Sequence, residues 1–403
     1  MKRLKSIKSI TLVLSLIWMI DTHAAEQCEQ ISVHCARTPS AAFDANGDLV
    51  VVFAQNDFVY FVRSTDNGRT FRQPVRINTE AEPVYTNGEN RPKIVPGKSD
   101  QIFVSWSKIT PGRFTGDIRF SRSLDGGLTF SPVVTVNDDG LLTTHRFETL
   151  GIDSSGNLFI AWVDKRDGDA ARTRGKNYPG AAIYYSVSAD GGASFSANRR
   201  VAANSCECCR IAMTPDESGV AIFWRHIFAG SLRDHAFARL DIDAAAIPVQ
   251  RATFDHWRIE ACPHHGPSMI KLPDDGIGSY HLTWFTNSAQ RQGIFYGRGV
   301  DGKEDPTNLL KVSNSPGASH PHLLGKESNL WLVWKEFDGD KTHIKLISSN
   351  DRGGKWTEEV ILASTINESD HPFLLQSGEG TFLSWFTDDE GYRLVDLERS
   401  DTL

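Results

Sequence analysis

Three cysteines in four residues, Cys206-Glu207-Cys208-Cys209, followed at once by Arg210, are the densest chemistry in the chain. Ordinary packing gives no reason to place three thiols so close together, so the run calls for a metal ion or for disulfides. A second cluster, Cys262-Pro263-His264-His265, adds a fourth thiol and two imidazoles. Thiolate and imidazole together suit a soft or borderline ion, whereas magnesium and calcium take oxygen ligands. Covalent c-type haem would need Cys-x-x-Cys-His, which the chain lacks. The six cysteines are completed by Cys28 and Cys35, which would clip the start of the exported chain. Two bridges among the other four would consume every thiol, so a disulfide staple stands against the metal reading.

Positioning these side chains is the work of a repeat. Seven short apolar segments end on an aromatic, at Phe53, Trp106, Trp162, Trp224, Trp284, Trp334 and Trp385, 50 to 62 residues apart. That period matches four-stranded propeller blades, and no long stretch keeps a helical period. In the second unit the strands run Arg91–Val95, Ile102–Trp106, Ile118–Ser121 and Val133–Asn137, here called A to D. The seventh unit stops after three, and Gln30–Val33 is expected to supply its missing outer strand and close the ring. The fold expected is an all-β propeller of four-stranded blades, seven of them, with six as the fallback if one unit is irregular.

With strand A innermost and strands alternating in direction, the D-to-A and B-to-C connections emerge on one face, around the channel mouth. The D-to-A position holds His34, Cys35 and Arg37; Asn90 and Arg91; His145, Arg146 and Glu148; the run from Cys206 to Arg210; Cys262, His264 and His265; His320 and His322; Asp370 and His371. The B-to-C end adds Asp164, His226 and Glu336. Eight of thirteen histidines thus fall on one rim. The expected metal site has Cys206, Cys208, Cys209, Cys262 and His264 at its core, completed by some of His145, His226, His265, His320, His322 and His371. Its members at i, i+2 would point the same way wherever the chain is extended. Copper is expected ahead of zinc, for copper delivery or electron transfer. Arg37, Arg91, Arg146 and Arg210 form a candidate anion or substrate site, with salt-bridging of strand ends as the plainer role. The insertion Lys165–Pro179 overhangs the same mouth as a lid, a partner loop or a solvated loop.

A second signature lies between strands C and D: STDNGRTF from Ser64, SLDGGLTF from Ser123, SADGGASF from Ser188 and SNDRGGKW from Ser349. The Asp can accept turn N–H groups, Gly takes positive φ and the last aromatic plugs the hairpin. These strings match the Asp-box repeat, and the chain from about residue 36 onward resembles the sialidase-like propeller superfamily. Arg37-Thr38-Pro39 stands where sialidases carry Arg-Ile-Pro, which makes sialidase-like glycoside hydrolysis the alternative function. Asp57 could stand for that family's acid and Glu148 for its carboxylate partner. No tyrosine lies in a matching context, Tyr392 being the one late candidate, so no catalytic residue is assigned. Metal-free binding of a glycan or protein is the third reading.

Lys2, Arg3, Lys5 and Lys8 precede an apolar run, Ile10–Ile20, and then small residues at Thr22-His23-Ala24, the pattern of a signal peptide over residues 1–24. Residues 25–403 would then be one propeller, periplasmic or secreted. At 40% hydrophobic, 23% charged and net charge −7 the chain has no basic stripe for nucleic acid, and no later run is long enough to span a membrane. The partner expected at the channel mouth is a protein or small molecule.

Overall fold

The computed structural model describes residues 28–243, 246–276, 279–300, 302–378 and 380–398, and the signal peptide expected over residues 1–24 lies outside them. Seven antiparallel sheets form a ring, six of four strands and the last of three, each with its strands hydrogen-bonded in sequence order. Strand B is buried on both faces. Leu49 to Phe53 in blade 1 and Leu158 to Trp162 in blade 3 have no exposed surface, which explains why these segments read as continuous apolar runs. Seven apolar clusters form the core, and each joins two adjacent blades: Phe103, Phe120, Leu158 and Trp162, for example, join blades 2 and 3.

In blades 2 to 7 the tryptophan that ends the apolar run of strand B anchors its blade by its polar edge as well as by its area, whereas Phe53 of blade 1 acts by area alone. Indole N–H groups donate to Glu82 from Trp106, Asp164 from Trp162, Ser205 from Trp224, Asp255 from Trp284, Glu336 from Trp334 and the Asp370 carbonyl from Trp385, at 2.8 to 3.0 Å. A buried indole needs such an acceptor, and here three acceptors (Glu82, Asp255 and Asp370) lie on loops and three (Asp164, Ser205 and Glu336) lie within strands. The C-to-D turns have their own lock. Asp66 accepts from Thr70 N–H at 2.9 Å and Ser64 Oγ accepts from Gly68 N–H at 2.8 Å, and the arrangement recurs at Asp125, Asp190 and Asp351. These turn bonds, first that of Thr70 Oγ1, hold the Asp66 carboxyl down at about 2. Gly127 is required in its turn, because at φ +87° a Cβ would meet the Phe61 ring at 2.1 Å.

The closing strand expected from Gln30–Val33 is not formed. Val33–Cys35 is a 3-10 turn capped by Ser32, and the Cys28–Cys35 disulfide holds the two Cα atoms 5.3 Å apart. The clip folds residues 28–35 back on themselves and disfavours an extended run between its cysteines. Val33 and Ala36 instead pack with Phe386 and Tyr392 between blades 7 and 1. The Lys165–Pro179 insertion is likewise more than a solvated loop, since Arg166–Thr173 is an α-helix. Asp167 on this helix accepts from Tyr184 Oη at 3.0 Å, and Arg166 lies over the Tyr184 ring, which seats the helix against strand C of blade 3.

Among the described residues no helix is long and apolar enough to cross a membrane.

Candidate metal centre at the channel mouth

Arg210 marks the axis of the ring. Its side chain donates to the carbonyls of Pro267 and Pro321 at 2.9 and 2.6 Å, and its guanidinium stands 3.6 Å from Glu89, so one residue of blade 4 touches the approaches to blades 2, 5 and 6. Glu89 completes the tie by accepting from the Arg210 and Gly266 N–H groups at 3.0 and 2.7 Å. Arg91 forms a two-pronged pair with Asp370 of the blade 7 approach and donates to the Pro39 carbonyl at 3.3 Å. The D-to-A positions of separate blades therefore do meet on one face.

Just beside the axis the Cys206–Arg210 run leaves strand D of blade 3 and bends before strand A of blade 4. The bend, rather than an extended i, i+2 pair, turns three side chains inward. Cys206 Sγ lies 3.7 Å from both Cys208 Sγ and Cys209 Sγ, and all three residues are buried. Cys262, exposed on the blade 5 approach, lies outside this close group of three but near enough to shift the Cys206 and Cys208 thiols. All four carry free thiols. Hydrogen bonds from Cys208, Cys209 and Cys262, with the charge of Arg225 behind them, push the Cys206 thiol well below its usual value. The same bonds push Cys208 and Cys209 up and hold Cys262 at about 11. Cys206 is therefore the member of the cluster that ionises most readily, and Cys208, Cys209 and Cys262 hold their protons more tightly than a free thiol. Tetrahedral thiolates around an ion with ~2.3 Å bonds are about 3.8 Å apart, close to the spacing already present.

The imidazoles gather elsewhere. His320 and His371 stack with ring centroids 3.5 Å apart, and His265 follows at 5.0 Å from His320. One ligand atom each from Glu89, His320 and His371 lies within 4.8 Å of the others, while the three buried thiols form a separate group. Burial lowers the pKa of His265 to about 4 and those of His320 and His371 well below the usual value, so all three are neutral. His264 contributes its carbonyl, which accepts from His320 Nε2 at 2.9 Å.

His322, two residues on, does not share the direction of His320. Strand A of blade 6 shifts register between Ser319 and His322, and a bulge of this kind re-aims side chains, so His322 Nδ1 accepts from Leu374 N–H at 3.1 Å. His226 sits beside Trp224 and Phe228 with Nδ1 3.4 Å from Ser205 Oγ, and burial lowers it to about 4.

His145 belongs to a third group. It lies inside strand A of blade 3 rather than ahead of it, donates from Nδ1 to the Gly116 carbonyl at 2.7 Å and places Nε2 3.1 Å from Asp139 and 3.7 Å from Asp164. Burial works against its charge, but the Asp139 hydrogen bond and the two carboxylate charges outweigh it, and the pKa is raised. A raised folded pKa contributes stability that is complete below about 6.5 and is lost as pH rises through the folded value. His145→Gln is therefore expected to melt below wild type by on the order of 2 °C at pH 5.5, with the gap closing by pH 9 in a calorimetric pH series.

The four arginines divide. Arg91 and Arg210 are committed as described, and Arg146 is buried with its guanidinium about 5 Å from the Tyr85, Phe114 and Phe147 rings. Only Arg37 presents its guanidinium to solvent, 4.0 Å from Glu368. It borders a cavity of about 320 Å³ that also touches Gly88, Asp370 and His371. Glu89 and Arg225 were missed in the sequence. Glu89 directly precedes the Asn90-Arg91 rim pair, and that adjacency was the available signal.

No family model and no curated protein matches the sequence. Among solved structures the chain is similar to an ulvan lyase of polysaccharide lyase family 25, at 10% identity and TM-score 0.54 over 90% of this chain and 94% of that one. It is also similar to an α-L-arabinanase from Penicillium chrysogenum, at 16% identity and TM-score 0.47 over 76% and 90%. A sialidase from Streptococcus pneumoniae follows at 10% identity and TM-score 0.45 over 76% and 66%. The likeness is one of fold. What is shared is the β-propeller architecture.

Proposed function

We propose that this chain is an exported Asp-box propeller, periplasmic or secreted, that holds one soft transition-metal ion through Cys206, Cys208, Cys209 and Cys262. The observation that carries the reading is the convergence of three buried thiols at 3.7 Å with a fourth thiol in interaction range. A buried free cysteine packs as a small hydrophobe and needs no company. Three of them in contact, with the Arg225 charge favouring ionisation of Cys206, are instead a preorganised soft-ligand set.

Thiolates favour Cu(I), so copper stands ahead of zinc, and copper delivery or electron transfer is the role that fits an exported scaffold. Cys262, the exposed member, is where an incoming ion or a partner would first meet the site. The test is anaerobic titration of the reduced apo chain with Cu(I) and with Zn2+ against a chromophoric competitor. One tightly held equivalent per chain is expected, with no Ellman-reactive thiol left. Thiols that remain fully reactive after either titration would end the proposal.

The sialidase-like alternative has the propeller fold and the cavity beside Arg37 on its side. It is weakened by the commitment of Arg91, Arg146 and Arg210 to buried partners, which leaves a single free guanidinium where a carboxylate clamp would need several. Metal-free glycan or protein binding at the mouth is separated from both by a glycan array on metal-stripped protein.

A further inference from the structure

We propose that His320, His371 and Glu89 form a second metal site on the ring axis, distinct from the thiols, that takes a borderline divalent cation such as Zn2+ or Cu2+, with His265 as the adjacent fourth donor.

The ring nitrogens carry the case. Nδ1 of His265, of His320 and of His371 are all buried, and among the described residues none has a hydrogen-bond partner. Buried polar atoms are nearly always satisfied, and three orphans from three consecutive blade approaches in one place are not a packing accident. The tautomer of His320 is fixed. Its Nε2 faces the His264 carbonyl at 2.9 Å, and a carbonyl only accepts, so the proton is on Nε2 and Nδ1 offers a lone pair. Donating one ring N–H to a backbone carbonyl while the other nitrogen points at the ion is how metal-bound histidines are oriented.

The geometry is within reach. Ligand atoms of Glu89, His320 and His371 already lie within 4.8 Å of one another. Around an ion with ~2.1 Å bonds such atoms are about 3.4 Å apart, so the side chains need draw in by little more than an ångström, with the stacked His320 and His371 rings opening so that both lone pairs converge. Glu89 is held in place by the Arg210 and Gly266 N–H groups, and each carboxylate oxygen keeps a second lone pair for a ligand. His320 sits on the strand bulge at φ +50°, a conformation that turns its ring to the axis and away from His322. Arg210, Arg91 and Lys335 also face these rings and are matched by Glu89, Asp370 and Glu368. The cavity bordered by Arg37 and Gly88 reaches His371 and gives a path from solvent.

Imidazole and carboxylate select a harder ion than four thiols do, so one mouth would hold two sites of different taste. The proposal does not depend on the thiol site. The full-length chain with Cys206, Cys208, Cys209 and Cys262 changed to Ser is titrated with Zn2+ by calorimetry and with Cu2+ by electron paramagnetic resonance. One equivalent is expected, with nitrogen hyperfine structure from at least two imidazoles. Adding His320→Gln and His371→Gln should weaken binding more than about 100-fold and abolish the metal-induced rise in melting temperature. If the serine variant does not fold, wild type preloaded with Cu(I) at the thiols is titrated with Zn2+ instead, and the second equivalent should vanish in the His320→Gln, His371→Gln chain. No imidazole equivalent in either background, or binding indifferent to the two histidine changes, overturns the proposal. An imidazole equivalent without any thiol-bound ion would uphold it while removing the function proposed above.

Discussion

Arg91→Ala is expected to cost roughly 3–5 kcal/mol of folding stability, the range for removing one partner of a buried ion pair. Arg91 and Asp370 are among the most buried charged groups of the protein, and their two-pronged contact ties the approach of blade 2 to that of blade 7. With the guanidinium gone, the Asp370 carboxylate keeps only the His371 N–H, at 2.7 Å, as a close donor. Burial already raises its pKa, and losing Arg91 raises it further. The folded variant then binds a proton more readily than its unfolded chain, so its stability falls as pH rises from about 4 through the folded value. Urea denaturation across that range should show a deficit against wild type that is smallest in acid and grows toward neutrality. A deficit under about 1 kcal/mol at pH 7 would mean that the pair does not close the ring.

Cys206→Ser should weaken Cu(I) or zinc binding by more than about 100-fold while leaving the chain folded. Both 3.7 Å sulfur contacts converge on Cys206, and it is the group the cluster ionises first. The other three thiols are held protonated. Filling the site must therefore expel protons from these thiols, and wild-type affinity should climb steeply as pH rises through neutrality. Competition titrations at pH 6, 7 and 8 would show this slope. A flat pH profile would mean that the ion is held by groups other than these thiols.

The ring was legible because its cause is periodic. Seven buried aromatics and four turn signatures repeat at blade spacing, and each is demanded by a local need, an indole seeking an acceptor or an Asp locking a turn. The rim register was legible for the same reason, since strand parity alone sends Arg91, Arg210, His320 and His371 to one face. What happens on that face was not. Period-2 reasoning assigns directions only to unbroken strands, and it failed at the blade 6 bulge, which parts His320 from His322, and at the Cys206–Cys209 bend. A single Cys/His centre was expected, yet the thiols pack between blades 3 and 4 while the imidazoles meet over the axis. The Val33–Cys35 turn was hidden because Gln30-Ile31-Ser32-Val33 alternates polar and apolar like an edge strand, and the Cys28–Cys35 clip was expected without its consequence for that strand being drawn.

The central claim is that four thiols at the channel mouth share one soft ion, and X-ray absorption on the full chain loaded with one equivalent of copper or zinc tests it most directly. The account predicts a first shell of three or four sulfur atoms, at about 2.3 Å for zinc. A first shell made of nitrogen and oxygen alone, or reduced protein that takes up no ion, would contradict it.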